Sequence, residues 1–307
     1  MNQRLLQLSG IFPPISTPFN DEGKVAVNAI TKNLSYLNQF DLKGYVVLGS
    51  NGEYVLLTEK EKLQVLETAR SAIPTDRLMI AGTGCQATNE TAELTKKAAS
   101  IGADAALVIT PSYYRGRMTP EALIKHYRII ADVSPIPIIM YNMPRCTGID
   151  LEAVTTAKLS EHPNIIGLKD SGVNIIKTGE IRRLAGSDFQ VLAGSASLFL
   201  PALSVGAVGG IMALANIAPV ECLAVYQYFL DGERDRARNL QLRLIPVNVA
   251  ITSGWGVPAL KAAMDILGLY GGPVRLPLLP LTDEMKRQLE TILSEGGIQK
   301  INTSTGG

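Results

Sequence analysis

The chain of 307 residues has only three cysteines and two histidines. Cys85, Cys146 and Cys222 lie far apart and form no CxxC pair, so the sequence supports neither a zinc ribbon nor a disulfide framework. With His126 and His162 as its histidines, the chain is a poor candidate for a His-based catalytic triad or a His-rich metal site. We expect both histidines to be structural or exposed.

An excess of either charge is also missing. Lysine and arginine number 29 against 28 aspartates and glutamates, which gives a net charge of +1. Without a basic excess to neutralise phosphates, no nucleic-acid partner is expected. Neither GxGxxG nor GxxxxGK[ST] occurs, so nucleotide cofactors have no motif support. The composition, with 46% apolar and 19% charged residues, is that of a globular protein.

No segment has the pattern of a secretory signal or of a membrane span. The first six residues lack the apolar core of a signal peptide. Residues 189–220 contain no charge over 32 positions, but Pro201, Pro219 and several glycines and serines interrupt them. We expect buried strand and helix of a soluble core there, and no membrane partner. A cytoplasmic location is the expectation, with the mitochondrial matrix as the alternative if a presequence was removed.

Short β-branched runs recur at intervals of about one βα unit. The runs are Gly10–Ile15, Gly44–Leu48, Leu78–Ala81, Ala105–Ile109, Ile136–Met140, Ile165–Leu168, Gln190–Leu192 and Val208–Ile211. Runs without polar alternation are typical of parallel strands buried on both faces. Helical patterns fill the gaps, and two of them begin with an N-capping threonine, Thr58 or Thr119. The pattern predicts an α/β fold, a (β/α)8 TIM barrel over residues 1–230, with an open doubly wound sheet as the alternative.

Residues 231–300 contain no further strand run. Helical patterns cover Glu233–Ala250, Val257–Leu267 and Asp283–Glu295. No linker rich in Pro, Gly or Ser separates them from the barrel, so we expect a C-terminal three-helix extension packed on it. The tail, residues 301–307, is expected to be disordered.

Polar residues that follow the strands are the candidates for catalysis, because barrel enzymes carry their active site at the C-terminal ends of strands. Lys169 directly follows the run Ile165–Leu168. Desolvation there disfavours the charged ammonium, and a neutral amine can attack a ketone to form an imine. An ion pair with Asp170 at the strand end is an alternative of equal weight.

Tyr141 has the same placement on the preceding strand. A phenol is poor at moving protons unless its hydroxyl is held in a relay, which Ser50 and Tyr113 are candidates to supply. A tyrosine with its ring in the core and its hydroxyl in solvent is the alternative. In the turn 49–53, GSNGE, two glycines surround small polar residues, which suits the approach of backbone amides to a carboxylate. Arg145 is a candidate to steer an anionic substrate.

Six motifs, in this order and spacing, resemble the dihydrodipicolinate synthase / N-acetylneuraminate lyase superfamily of class I, Schiff-base aldolases. They are GSNGE (49–53), TPSYYRGRM (110–118), YNMP (141–144), GLKDSG (167–172), LAGSA (192–196) and GAVGGIMALAN (206–216). The likeness covers nearly the whole chain, including the C-terminal helices. Within the superfamily the chain looks most like the 4-hydroxy-2-oxoglutarate aldolases.

The resemblance implies roles for the matching residues. Lys169 is similar to the imine-forming lysine, and Tyr141 is similar to the acid/base tyrosine beside it. Ser50 stands where a relay serine or threonine is found, and Asn51 follows it. Tyr113 resembles a tyrosine that reaches into the neighbouring subunit's site.

Further positions match the substrate pocket of the superfamily. Gly194 and Ile211 match positions that shape the keto-acid pocket, and Ser171 belongs to the polar ring after the lysine. Asn51 and Arg145 are candidates for a distal carboxylate. The resemblance also implies a homotetramer built as a dimer of dimers, and it implies neither a metal nor an organic cofactor.

Two departures from the dihydrodipicolinate synthases bear on the substrate. Those enzymes usually carry Thr-Thr where this chain has Ser50 and Asn51. They also place an arginine five residues after the active-site tyrosine, where this chain has Cys146, with Arg145 one step earlier. Both differences weaken the expectation that the second substrate is aspartate semialdehyde.

We therefore expect cleavage of 4-hydroxy-2-oxoglutarate, or of a related 4-hydroxy-2-oxo acid, to pyruvate and an aldehyde such as glyoxylate. Condensation of pyruvate with aspartate semialdehyde, or cleavage of a 2-keto-3-deoxy sugar acid, is the alternative on the same imine. A catalytically silent binding barrel is the non-enzymatic alternative, and the presence of Lys169, Tyr141 and Ser50 argues against it.

Overall fold

Eight parallel strands form the centre of the part of the chain that the computed structural model describes, residues 6–301. They are β1 (Gly10–Phe12), β2 (Gly44–Val47), β3 (Leu78–Gly82), β4 (Ala105–Ile109), β5 (Ile138–Asn142), β6 (Ile165–Asp170), β7 (Gln190–Ala193) and β8 (Gly209–Ile211). Neighbouring strands pair in the order β1–β8–β7–β6–β5–β4–β3–β2. The strands are short and almost entirely buried, as expected for strands covered on both faces.

The first two strands approach each other and close the sheet. The amide of Lys43 donates to the carbonyl of Ile11 (3.0 Å), and the amide of Ile15 donates to that of Val46 (2.9 Å). Pro14 and Val46 form a parallel bridge. The predicted (β/α)8 TIM barrel is confirmed, and the open-sheet alternative is wrong.

Helices fill the connections and continue beyond the last strand. They are α1 (Val27–Leu37), α2 (Glu59–Ala72), α3 (Thr88–Ile101), α4 (Pro120–Val133), α5 (Pro144–Thr147), α6 (Ala153–Ser160), α7 (Ile175–Leu184), α8 (Phe199–Ser204), α9 (Pro219–Leu230), α10 (Arg234–Val249), α11 (Val257–Leu267) and α12 (Asp283–Glu295). The predicted N-caps are present: Thr58 closes a capping box with Glu61, and the Thr119 hydroxyl accepts from the amide of Ala122.

Alternation along the strands divides the buried side chains into two sets, and on β6 the alternation shifts by one residue, because Gly167 and not Ile166 pairs with Ile139. One set fills the barrel interior and includes Phe12, Val46, Ile80, Leu107, Ile139, Tyr141, Ile166, Leu192 and Ile211. The other faces the surrounding helices, as Met140, Leu168 and Val191 do. Because register partners in a parallel sheet point to the same face, this division decides which polar residues reach the barrel mouth.

The three C-terminal helices share a hydrophobic core with the barrel. Val247 of α10, Leu260 of α11 and Leu289 of α12 belong to one cluster with Ile11 and Tyr45 of the barrel strands. This cluster contains residues from both sides of position 230, which is the predicted end of the barrel. A π-helix, Ala250–Gly254, follows α10 and leads back toward the barrel.

The uncharged stretch 189–220 folds as β7, α8, β8 and the start of α9, as expected for buried elements. Among the described residues no helix has the length and apolarity that a membrane crossing needs. The tail for which disorder is predicted lies outside the described residues except for Ile301, whose amide donates to the carbonyl of Leu267 (2.9 Å). The first five residues also lie outside them.

Candidate active site

Lys169 and Tyr141 face each other inside the mouth of the barrel. They are register partners on the adjacent strands β6 and β5, and Lys169 is also the partner of Leu192 on β7. Tyr141 and Leu192 belong to the interior cluster, so Lys169 projects inward with them. Its Nζ lies 4.1 Å from the centre of the Tyr141 ring, and the residue is only 3% exposed.

The carboxylate of Asp170 lies on the other face of β6. Its Oδ1 accepts from Asn142 Nδ2 (2.8 Å) and from the amide of Gly172 (2.9 Å), and its Oδ2 lies 3.6 Å from Lys177 Nζ. Among residues 6–301, Lys169 takes part in no ion pair. The alternative expectation, an ion pair between Lys169 and Asp170, is therefore wrong, because successive strand residues point to opposite faces.

Ser50 brings a second hydroxyl to Tyr141. The Ser50 Oγ and the Tyr141 hydroxyl are 3.3 Å apart, within hydrogen-bond distance. Ser50 opens a 3₁₀ turn, Ser50–Gly52, that follows β2 and contains the half-buried Asn51. The structure thus brings Lys169, Tyr141 and Ser50 together, as the sequence predicts, with Asn51 beside them in the same turn.

Ser171 and Gly194 adjoin each other at the ends of β6 and β7. The amide of Gly194 donates to the carbonyl of Asp170 (2.7 Å), and the amide of Ser171 donates to that of Asn142 (2.9 Å). A side chain on Gly194 would overlap Ser171, since a Cβ there would lie 2.0 Å from its Oγ. Ile211 is fully buried on β8 within the interior cluster.

Two residues contribute to this arrangement without having been singled out from the sequence. Asn142, fully buried, donates to Asp150 Oδ1 (2.7 Å) and Asp170 Oδ1, and accepts from the amide of Leu151 (3.0 Å). It ties the ends of β5 and β6 together. Tyr54 follows the GSNGE turn and packs against the interior cluster, and burial together with the nearby Tyr141 raises its pKa. Position was the signal available in the sequence, because Asn142 directly follows Tyr141 and Tyr54 directly follows the GSNGE turn.

Tyr113 lies away from the Tyr141–Ser50 pair within the chain. Its side chain is 81% exposed and packs edge-to-face on Tyr114, while its amide donates to Gln86 Oε1 (2.9 Å). No hydrogen bond joins it to Tyr141 or Ser50 in the part of the chain that is described. A relay through Tyr113 inside one chain therefore does not form, whereas a contact made across a subunit interface stays a prediction.

Arg145 is bound to the C-terminal extension. Its guanidinium donates to the carbonyls of Thr252 (3.2 Å) and Ser253 (2.9 Å) in the π-helix, and its side chain is exposed. Cys146, beside it, is also exposed. Arg145 joins the turn after β5 to the segment after α10, and its role toward a distal carboxylate stays a prediction.

The two histidines lie outside this site. His126 is buried on α4, where its Nδ1 is 2.9 Å from the Thr88 hydroxyl, and burial lowers its pKa to about 4. His162 contacts Asp132 at 3.0 Å. Between residues 6 and 301 no group of three or more His, Cys, Asp or Glu side chains is placed to hold a metal ion.

The chain matches the model of the dihydrodipicolinate synthetase family over residues 7–296. It belongs to this family. A 4-hydroxy-tetrahydrodipicolinate synthase of Methanothrix thermoacetophila is 38% identical over 287 residues, which cover 93% of this chain and 96% of the relative. A synthase of the same name from Moorella thermoacetica is 33% identical, over 95% of this chain and 100% of the relative.

Solved structures of the dihydrodipicolinate synthetase family have the same fold. The dihydrodipicolinate synthase of Bacillus anthracis superposes with a TM-score of 0.91 at 31% identity, covering 94% of this chain and 98% of its own. A prophage protein of the family from E. coli K12, solved with pyruvate, superposes with a TM-score of 0.89 at 28% identity, covering 95% of this chain and 100% of its own.

Family membership establishes the class of the protein, which is an enzyme, a carbon–carbon lyase of the Schiff-base aldolase and synthase type. The predicted membership of the superfamily is thereby confirmed, and the alternative of a catalytically silent binding barrel is not supported. The narrower likeness to the 4-hydroxy-2-oxoglutarate aldolases is not confirmed, because the relatives described above carry the synthase name.

Proposed function

We propose that the protein joins pyruvate to an aldehyde, or reverses this reaction, through an imine on Lys169. The observation that supports this proposal is the position of the Lys169 amine. It is buried, has no carboxylate partner among the described residues, and lies 4.1 Å over the ring of Tyr141, whose hydroxyl is 3.3 Å from Ser50 Oγ. The family relationship and the pyruvate complex of the E. coli relative support pyruvate as the ketone.

The chemistry follows from the order of these groups. The Lys169 amine attacks the C2 carbonyl of pyruvate, and loss of water leaves a protonated imine. The imine accepts the electron pair of a C3–H bond, and that proton passes to the Tyr141 oxygen, which gave up its own proton when water left; the result is an enamine. The enamine carbon attacks the aldehyde, and the Tyr141 hydroxyl gives its proton to the alkoxide that forms. Water then adds to the product imine, returns a proton to Tyr141 through Ser50 and releases the Lys169 amine. In the cleavage direction Tyr141 takes the proton of the C4 hydroxyl as the C3–C4 bond breaks, and the enamine left on Lys169 is protonated at C3 and hydrolysed to pyruvate.

The turn after β2 is the proposed binding site for the keto-acid carboxylate. Its own hydrogen bonds run from the amide of Gly52 to the Gly49 carbonyl (2.9 Å) and from that of Glu53 to the Ser50 carbonyl (3.1 Å). The amides of Ser50 and Asn51 precede these donors and are assigned to the carboxylate. Ser171, Gly194 and Ile211 would form the wall around the methyl end of pyruvate.

Aspartate semialdehyde is the first candidate for the aldehyde. The support is the name of the relatives, 4-hydroxy-tetrahydrodipicolinate synthase, which align over almost the whole chain. In this reaction the second substrate carries a carboxylate, which Asn51 or Arg145 would bind.

Cleavage of 4-hydroxy-2-oxoglutarate to pyruvate and glyoxylate is the second candidate, and one observation favours it. Cys146 stands where the superfamily's synthases place an arginine for the acid group of the aldehyde, and the neighbouring Arg145 already donates to Thr252 and Ser253. A 2-keto-3-deoxy sugar acid is a third substrate to include in the assays.

Tyr113 supports a proposal about assembly. A tyrosine that is 81% exposed beside the barrel mouth is placed to enter a second subunit's site, as the resemblance implies. We assign it to the partner's proton relay in a homodimer, two of which would form the homotetramer. Loss of activity in Tyr113→Phe, restored by mixing with a Lys169→Ala chain, would support an exchanged tyrosine.

Borohydride reduction in the presence of pyruvate tests the proposed function directly. A mass gain confined to the peptide that contains Lys169 is expected, and Lys169→Ala should show neither the adduct nor turnover. Lys177 is the internal control, since it is buried but paired with Asp150 and Asp170 on the outer face of β6. A wild-type enzyme without an adduct, or an active Lys169→Ala, would refute the imine. Parallel assays with the three candidate substrates then identify the aldehyde.

A further inference from the structure

The carboxylate-binding turn is bounded by two residues in a rare backbone conformation. Among residues 6–301, the non-glycine residues with positive φ are Leu48 (63°) and Glu53 (51°), one on each side of Gly49–Gly52. Left-handed backbone is unfavourable for residues with a side chain and persists where surrounding contacts hold it. Contacts with the surrounding structure must therefore hold the turn in this conformation.

Glu53 is held by a buried ion pair with the C-terminal extension. Its Oε1 lies 2.6 Å from Nζ of Lys261 on α11, and its Oε2 accepts from the amide of Arg275 (2.9 Å). The side chains of Glu53 and Lys261 are 0% and 1% exposed. Burial lowers the pKa of Lys261, and the Glu53 carboxylate opposes that effect by favouring the ammonium.

Lys261 is itself fixed from several sides. Its Nζ donates to the carbonyl of Pro273 (2.8 Å) and lies 4.3 Å from the centre of the Phe19 ring. The guanidinium of Arg275 covers the same ring at 4.2 Å and pairs with Glu61. A lysine with this many partners has little freedom to move, so it fixes the Glu53 carboxylate in turn.

The same turn carries the groups assigned to substrate. Ser50, three residues before Glu53, touches Tyr141, and the Gly52 carbonyl accepts from the Thr17 hydroxyl (2.7 Å). The turn is therefore tied at one end to β2 and at the other to a helix more than 200 residues away. A shift of its Glu53 end would move the amides of Ser50 and Asn51.

We propose that Lys261 is a positioning residue of the active site, which acts through Glu53 to hold the Ser50–Gly52 turn in the geometry that binds the keto-acid carboxylate. The inference rests on the proposed function, since it assigns pyruvate to that turn. It gives the C-terminal extension a part in substrate binding in addition to its packing on the barrel. A pair that only stabilises the fold would leave the affinity for pyruvate unchanged.

The test compares the KM for pyruvate with the KM for the aldehyde. Glu53→Gln is isosteric, and Glu53→Gln/Lys261→Met removes both charges, which avoids leaving one charge buried alone. We expect the KM for pyruvate to rise about tenfold in both variants through misplacement of the turn, with the KM for the aldehyde changed less than about twofold. Lys261→Arg keeps the positive charge and should retain most of the wild-type affinity for pyruvate.

Arg70→Met is the matched control. It breaks the part-buried Arg70–Asp104 pair (3.5 Å), which lies by the N-terminal end of β4 and away from the barrel mouth. It should lower the urea midpoint of unfolding and leave both KM values unchanged. Variants of Glu53 and Lys261 with a lowered midpoint but the wild-type KM for pyruvate would overturn the inference. Wild-type enzyme without a borohydride adduct at Lys169 would instead overturn the proposed function.

Discussion

Gly194→Ala should damage the active site by separating two strands. A Cβ on Gly194 would lie 2.8 Å from the carbonyl oxygen of Asp170 and 2.8 Å from Cα of Ser171. The same Cβ would also lie 2.0 Å from the Oγ of Ser171, and rotation of the Ser171 side chain would relieve that contact. The two contacts with backbone atoms would stay. Restoring an ordinary separation of about 3.5 Å requires a movement of about 0.7 Å at the end of β6. Lys169 is one residue away from this point.

The size of the effect follows from that displacement. Misplacement of a reacting group by about 1 Å costs on the order of 100-fold in rate, so we expect kcat/KM to fall about 10- to 100-fold. Overpacking should also reduce the free energy of unfolding by about 1–3 kcal/mol. Steady-state kinetics at saturating aldehyde and borohydride trapping at Lys169 measure the first effect, and urea unfolding measures the second.

Gly179→Ala is the matched control on α7. The nearest atom to its Cβ would be Val205 Cβ at 3.9 Å, an ordinary contact, and alanine within a helix is favoured over glycine by up to about 1 kcal/mol. This variant should keep wild-type kinetics and unfold at equal or higher urea. Ser171→Ala/Gly194→Ala should stay impaired, since the backbone contacts remain. A Gly194→Ala enzyme with wild-type kcat/KM would refute the reasoning.

Three further predictions concern protonation, proton transfer and helix capping. Burial lowers the pKa of His126 from 6.5 to about 4, so as the pH falls the unfolded chain binds a proton at this residue before the folded protein does. The free energy of unfolding should therefore fall by about 3 kcal/mol between pH 7 and pH 4 because of His126. His126→Gln should lose that part of the pH dependence in urea titrations, and an identical dependence would contradict the assignment. Tyr141→Phe removes the hydroxyl 3.3 Å from Ser50 Oγ and should lower kcat about 100-fold or more, while the pyruvate adduct on Lys169 still forms; unchanged turnover would exclude Tyr141 as the acid/base. Thr119→Ala removes the N-cap of α4 and should reduce stability by about 1 kcal/mol in urea unfolding without a change in KM, whereas a loss well above that would mean the residue does more than cap.

Local sequence patterns predicted where the strands and most helices lie, while β5 and β6 extend two residues past the predicted runs, to Asn142 and Asp170. Strand runs without polar alternation lie at all eight strands, and the helix Val257–Leu267 begins and ends at the predicted residues. Capping at Thr58 depends on residues three positions apart, which makes it readable from sequence. The placement of Lys169 and Tyr141 at strand ends followed for the same reason, because strand ends are local features.

Contacts between distant residues decided the rest. Whether Lys169 meets Tyr141 or Asp170 depends on the register of β5 and β6, and a shift by one residue would reverse the two faces. The pairing of Glu53 with Lys261 joins positions more than 200 residues apart and has no local signal in the sequence. The amino-acid sequence by itself determined which segments form strands and helices and which residues stand at their ends. Only the closure of the barrel and the docking of α11 decided which of those residues meet, because side chains so far apart in sequence come together only in the folded chain.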